Sequence, residues 1–235
     1  MQTRCGRPLG NTNFCALCDL RNQSVCAELS DEEMKSVSST MAHLAVKEGQ
    51  TIIEESEVSE FLCVVVSGSF RLVRNLEDGR RQITGFIFSG DYLGMSGTVA
   101  NAYTAEAIEP SLICRFSHAF LDEMSLRHPG IKDRLIAKGH TELHKAQDHI
   151  VLLGKASAED RVMSFLEIVH PYTADHPGSS RFYLPMSRQD IADYLGLRME
   201  TLSRTLTKLK KAGRVASLEG RLVELPSNST TEALA

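Results

Sequence analysis

Residues Met186–Gly213 read MSRQDIADYLGLRMETLSRTLTKLKKAG, and the rest of the chain is understood from this stretch. Ser187, with Asp190 three positions on, has the register of a helix N-terminus in which each side chain caps the other's backbone. Ile191, Ala192 and Leu195 recur at helical spacing, and Gly196 supplies the left-handed residue at which such a helix ends. A second helix is expected from about Arg198, buried through Leu202, Leu206 and Leu209 and closed by Gly213. Its polar face carries Glu200, Ser203, Arg204, Thr207, Lys208 and Lys211. The DNA major groove admits a helix, and its base edges match Arg, Glu and Ser side chains, so this pattern fits a groove reader. Arg181, Arg188, Arg198, Arg204, Lys208, Lys210, Lys211 and Arg214 stand against only Asp190, Asp193 and Glu200 here, whereas the whole chain has net charge −4. That local reversal of sign points to double-stranded DNA as partner. The blander alternative is a helical hairpin with a solvated basic face.

The 235 residues suffice for one large or two small domains. There is no run of about 18 apolar residues, so no membrane partner is expected. The start, MQTRCGRPLG, lacks the apolar core of a signal peptide, which points to a cytoplasmic protein. Disulfides among the six cysteines are disfavoured in that reducing compartment. Cys5, Cys15, Cys18 and Cys26 crowd the start, while Cys63 and Cys114 lie far downstream. The segment CALCDLRNQSVC can turn several thiolates toward one centre, and soft thiolates hold zinc or iron–sulfur clusters. Cys63, inside FLCVVVSG, reads as a buried structural thiol, and Cys5 lies outside the compact triplet.

Four segments follow from the order of patterns: 1–29 cysteine-rich, 30–130 a small antiparallel β-roll, 131–154 one long helix, and 155–235 a winged helix-turn-helix. Ser30 and Glu33 stand in capping-box register before a helical stretch running to about Ala45. Short β-branched runs follow at Gln50–Glu54, Phe61–Ser67, Gly68–Arg74, Arg80–Phe88 and Ser111–Phe116, broken by Gly and by Asp78-Gly79. Ile131–Leu153 reads as a long helix whose apolar stripe is Leu135, Ile136, Leu143, Ala146, Ile150 and Leu153. A stripe of that length suits a two-helix seam in a homodimer, since helix-turn-helix readers bind paired half-sites. Ser157–His170 is a further helix, and Arg214–Leu218 with Arg221–Leu225 reads as a hairpin wing, followed by a Ser/Thr-rich tail expected to fray.

With these parts in this order, the sequence resembles the CRP/FNR superfamily of bacterial transcription regulators, in its FNR branch, over nearly the whole chain. The fold implied is α+β: an N-terminal antiparallel β-roll of the cyclic-nucleotide-binding kind, a long dimerisation helix and a C-terminal winged helix-turn-helix. Glu200-x-x-Ser203-Arg204 matches the motif with which FNR-type proteins read TTGAT half-sites. Arg204 suits guanine O6/N7, Glu200 a cytosine amine, and Ser203 a neighbouring base. Ser187, Arg188, Arg198, Thr201, Lys208 and Lys211 are the further groups expected at DNA, the basic ones mainly at phosphates. The resemblance also implies that Cys15, Cys18, Cys26 and Cys114 hold a [4Fe-4S] cluster, with Cys5 a weaker competitor for one place. The wide gap before Cys26 is similar to the FnrN and FixK-like members.

What the resemblance implies is an oxygen-responsive regulator, dimeric with its cluster under low oxygen, that contacts RNA polymerase; Glu77–Arg81 is a candidate contact by position only. The competing expectation is a constitutive DNA-binding regulator with structural zinc or no metal. A haem or small-ligand sensor in the roll is a third, but nothing singles out His43 or Cys63 as its axial ligand. Cyclic nucleotide is not expected as a ligand. Gly94-Met95 and Asn101–Thr104 lack the carboxylate and guanidinium of cyclic-AMP-binding relatives, and a buried phosphodiester without Arg is uncompensated. No enzyme is expected either. The histidines form no catalytic array, His140 and His144 read as a solvated pair, and no Walker or dinucleotide motif is present.

Overall fold

The computed structural model describes residue 15 and residues 18–37, 42–155 and 157–226. Cys5 and the Ser/Thr-rich tail lie outside the described residues. The chain divides into two units, one formed by 1–74 with 84–146 and the other by 75–83 with 147–235.

In the first unit, helix α1 (Asp31–Val37) begins with the expected reciprocal cap. Glu33 N–H donates to Ser30 Oγ at 3.3 Å, and Ser30 N–H donates to Glu33 Oε2 at 2.9 Å. The helix does not continue to Ala45. Residues Ala42–Val46 form strand β1 instead, and Val46 is buried. This is a correction to the expected helix, and pairing with a distant strand decides it over local propensity.

The remaining strands of the roll are β2 (Thr51–Ile53), β3 (Phe61–Ser67), β4 (Phe70–Asn75), β5 (Arg81–Ile87, whose first residues group with the second unit), β6 (Tyr92–Leu93), β7 (Thr104–Ala107) and β8 (Ser111–Ser117). They form two four-stranded sheets, ordered β1-β8-β3-β6 and β2-β7-β4-β5. The apolar run of β3 reflects burial on both faces. Cys63 and Val65 join Phe70, Ile87, Leu93 and Ile113 in one core, while Leu62, Val64 and Val66 join Phe116, Leu121 and Met124 in another. Helix α2 (His118–Arg127), which the sequence reading did not separate, is capped by Ser117 and closes this second core with Leu121 and Met124.

Helix α3 (Gly130–Leu153) follows Pro129 and contributes to both units. In the first unit Ile131 and Leu135 pack into the second core, so Leu135 turns toward its own roll. Lys138 donates to the Gly90 carbonyl at 2.9 Å, and Lys145 pairs with the buried carboxylate of Asp91 at 2.8 Å. Ile136 (59% exposed), Leu143 (56%) and Ile150 (70%) stand at seven-residue intervals on the opposite face, and Ala146 is exposed with them.

The second unit holds α4 (Ala158–Thr173), α5 (Arg188–Leu195) and α6 (Met199–Lys211), with a three-stranded sheet ordered β10 (Ser217–Glu219), β11 (Leu222–Glu224), β9 (Arg181–Tyr183). The two expected wing strands are therefore joined by β9, which the sequence reading left unassigned. Helix α5 carries the full capping box of Ser187 and Asp190 and ends at Gly196 with φ 61°, as only glycine readily allows. Residues 75–83 group with this unit. Arg81 bridges Asp190 at 2.7 Å and Asp193 at 2.9 Å, and the Gln82 side-chain amide donates to the Asp193 carbonyl. At the end of α3, His149 donates to the Tyr194 carbonyl and stacks on its ring at 3.9 Å, and Leu153 is half-buried. Among the described residues, no helix is long and apolar enough to cross a membrane.

Candidate metal centre and nucleic-acid interface

Two short 3-10 turns, Arg21–Gln23 and Val25–Glu28, lay the cysteine segment on the second core of the roll. Val25 and Leu29 are buried there, and the Ser24 hydroxyl caps the second turn by accepting from Cys26 N–H. The buried Val25 N–H donates to the Tyr92 hydroxyl at 2.9 Å, tying the segment to β6. A charged tie joins it to α3: Arg134 Nε donates to Glu28 Oε1 at 2.6 Å, and Arg134 Nη1 reaches the Asn22 carbonyl at 3.4 Å. Gly130 makes room for this contact, since a Cβ there would stand 2.3 Å from Glu28 Oε2. Arg21 pairs with Asp31 and also donates to the Leu29 carbonyl, so the turns are held from both ends.

These turns and β8 bring Cys15, Cys18, Cys26 and Cys114 to the wall of one small cavity. Cys15, Cys26 and Cys114 are buried, and Cys18 is half-buried. Cys63 lies apart in the other core, where burial pushes its thiol up to about 11. Burial raises the Cys15 thiol, with Cys18 adding to the rise and Arg21 opposing it. Burial carries Cys26 to about 11, with the Ser24 hydrogen bond opposing. Both thiols therefore hold their protons at neutral pH, and a soft cation must displace those protons to bind.

The donor set is chemically right for soft metals: four thiols, walled by Leu20, Met34, Val64, Val66 and Phe116. Among the described residues, no three His, Cys, Asp or Glu side chains converge as a site for one metal ion. Four thiolates suit zinc and an iron–sulfur cluster alike. His43 also lines the cavity, its Nε2 3.9 Å from Cys15 Sγ, and it stands opposite Cys114 in the β1–β8 register. The sequence reading named His43 without placing it here. The only signal was the alternation of AHLAV, concealed by reading that stretch as helix.

On α6, Leu202, Thr205, Leu206 and Leu209 are buried, and Glu200, Thr201, Ser203, Arg204 and Lys211 are exposed on the other side. Arg198 is exposed at the N-cap position and makes no side-chain cap. Lys208 is paired with Glu159 of α4 at 2.5 Å. The Ser187 hydroxyl is engaged in its cap with Asp190. Arg188 donates to the Gly220 carbonyl at the wing turn, and its Nη1 is buried with no hydrogen-bond partner among the described residues. Arg81 occupies two of the three carboxylates in this region, and Glu200 is the one that stands exposed on α6. This is an electrostatic and steric match to a polyanion groove.

Residues 43–128 match the family described as cyclic nucleotide-binding domain, and residues 184–214 match bacterial regulatory proteins of the crp family. The chain is 37% identical over 226 residues to the nitrogen fixation regulation protein FixK of Bradyrhizobium diazoefficiens, covering 96% of this chain and 95% of that protein. It is 34% identical to the transcriptional activator protein FnrL of Cereibacter sphaeroides, covering 88% and 85% respectively. The fumarate and nitrate reduction regulatory protein of Salmonella typhi is 29% identical over 94% of this chain and 90% of its own length. Among solved structures, FixK2 from Bradyrhizobium japonicum superposes with a TM-score of 0.73 at 33% identity, covering 79% of this chain and 92% of that one. The molecule is thus of the class that regulates transcription by binding DNA through a helix-turn-helix, and it is not an enzyme. The chain belongs to the CRP/FNR family, in its FNR/FixK-like part.

Proposed function

We propose that this chain is an oxygen-responsive homodimeric regulator whose Cys15, Cys18, Cys26 and Cys114 hold a [4Fe-4S] cluster. The observation that carries the reading is the meeting of these four thiols, from a segment near the start and from β8, at one apolar cavity. When bound, the cluster supplies iron–thiolate ties that oxygen degrades. The chain's own contribution is the linkage onward to α3. Tyr92 holds the Val25 amide, Arg134 grips Glu28, and Lys138 and Lys145 fasten α3 to Gly90 and Asp91. A shift of the cysteine segment thereby reaches the helix whose outward face carries Ile136, Leu143, Ala146 and Ile150. That face joins two subunits, while Leu135 stays with its own roll and Leu153 is half-buried. Two reading heads then grip a TTGAT-type palindrome together, with Glu200, Ser203 and Arg204 at base edges and Arg198, Thr201 and Lys211 beside them. Because both heads must bind at once, loss of pairing removes most of the affinity without altering a DNA contact.

Protein purified without oxygen tests this reading. Four irons and four sulfides per chain, with broad absorption near ~400 nm, support it. A colourless protein with one zinc, or none, transfers support to the constitutive regulator. RNA polymerase contacts and a cytoplasmic location are part of the same proposal.

A further inference from the structure

The cysteine cavity contains a side chain that the four-thiol reading leaves without a role. β1 alternates: Leu44 and Val46 turn into the core between the sheets, and His43 turns to the other face, where the cysteine segment lies. There its Nε2 stands 3.9 Å from Cys15 Sγ, within reach of a sulfur hydrogen bond, while the strand register sets it opposite Cys114. Its place is fixed by the sheet and not by the cysteine segment. A group so held can act on the Cys15 sulfur without depending on that segment for its own position.

Resting on the cluster reading above, we propose that His43 is a positioning residue of the metal centre, donating its Nε2–H to the Cys15 thiolate and so setting how readily the centre is lost to oxygen. A hydrogen bond to a ligating sulfur withdraws electron density from it, which raises the reduction potential and resists oxidation. It also orients the ligand toward the metal. Removing the donor leaves a more electron-rich thiolate on a looser turn, and both changes speed loss of the centre.

The test uses the full-length protein with His43→Leu, which keeps bulk without a donor, and His43→Gln, which keeps an N–H donor. Each is loaded anaerobically with iron and sulfide, assayed for both, and then followed by the decay of its visible absorption in air. The expected result is wild-type stoichiometry in all three, with His43→Leu bleaching about tenfold faster, the lower end of the effect of losing a metal ligand's orienting partner. His43→Gln is expected to stay within about twofold of wild type. Failure of His43→Leu to take up iron while His43→Gln loads fully also supports the role. Equal bleaching of His43→Leu and wild type overturns it, as does His43→Gln behaving like His43→Leu. If the wild-type protein itself takes up no iron, the cluster reading falls and this role falls with it. Iron in wild type with no effect of His43→Leu removes only the role of His43.

Discussion

Replacing Leu143 by Ala tests the proposed seam on α3. In a single chain Leu143 is 56% exposed, and Ile136 and Ile150 lie one heptad to either side at 59% and 70%. Full burial of a leucine side chain contributes about 1.5–3 kcal/mol, so covering the exposed half contributes roughly 1–1.5 kcal/mol per copy. A two-fold seam uses each residue twice, and truncation therefore costs the dimer about 2–3 kcal/mol. At about 1.4 kcal/mol per decade, the dissociation constant rises roughly 30- to 150-fold. Sedimentation equilibrium on anaerobic protein measures this directly. Leu126→Ala on α2 is the matched control, because Leu126 is 79% exposed but lies off the seam. A Leu143→Ala dimer within twofold of wild type would refute the reasoning, and so would an equal loss from Leu126→Ala. Far-UV circular dichroism should be unchanged in both variants, since neither side chain is in a core.

Arg204→Ala should cost about 1–3 kcal/mol on a specific site and relax preference at one base pair, whereas Lys211→Ala should weaken specific and random DNA alike. Competition binding separates the two, and equal losses for Arg204→Ala on both DNAs contradict base reading. Tyr92→Phe leaves the buried Val25 amide without its acceptor and should cost about 1–3 kcal/mol in urea unfolding. Burial pushes the Tyr92 hydroxyl up to about 12, above its unfolded value. Its share of stability is therefore complete below about pH 10 and disappears as pH rises through 12, so the Tyr92→Phe variant should lose less between those limits. A wild type and variant that fall in parallel there would deny the tyrosine that role. Asp190→Ala removes both the cap of α5 and the partner of Arg81 from a fully buried position, and should cost about 3 kcal/mol. A loss below 1 kcal/mol in urea titration would show that neither contact matters.

The helix-turn-helix was legible because every local signal agreed. Ser187 and Asp190, the apolar spacing and Gly196 all specify the same turn, and the structure shows the cap and the positive φ where they were expected. β3 was legible to the residue for a similar reason, its apolar run being bounded by Ser and Gly. β1 was not. AHLAV follows a well-capped helix, and its strand identity comes from β8, some seventy residues away. That error also concealed His43, because only a strand turns Leu44 and His43 to opposite faces. On α3 the sequence reading merged two faces into one stripe. Leu135 belongs to the roll-facing side, which the pattern missed because its next members are Lys138 and Lys145, polar groups that satisfy Gly90 and Asp91. The charged ties Glu28–Arg134 and Arg81–Asp190 each join residues about a hundred apart, and no spacing within a window announces them.

The central claim is that an iron centre on Cys15, Cys18, Cys26 and Cys114 governs whether two subunits pair. Iron, sulfide and molecular mass measured on one anaerobic preparation, before and after exposure to air, test it most directly. The account predicts about four irons per chain in a dimer, and a monomer once the iron is gone. A protein without iron that remains dimeric and holds its palindrome equally well in air contradicts it.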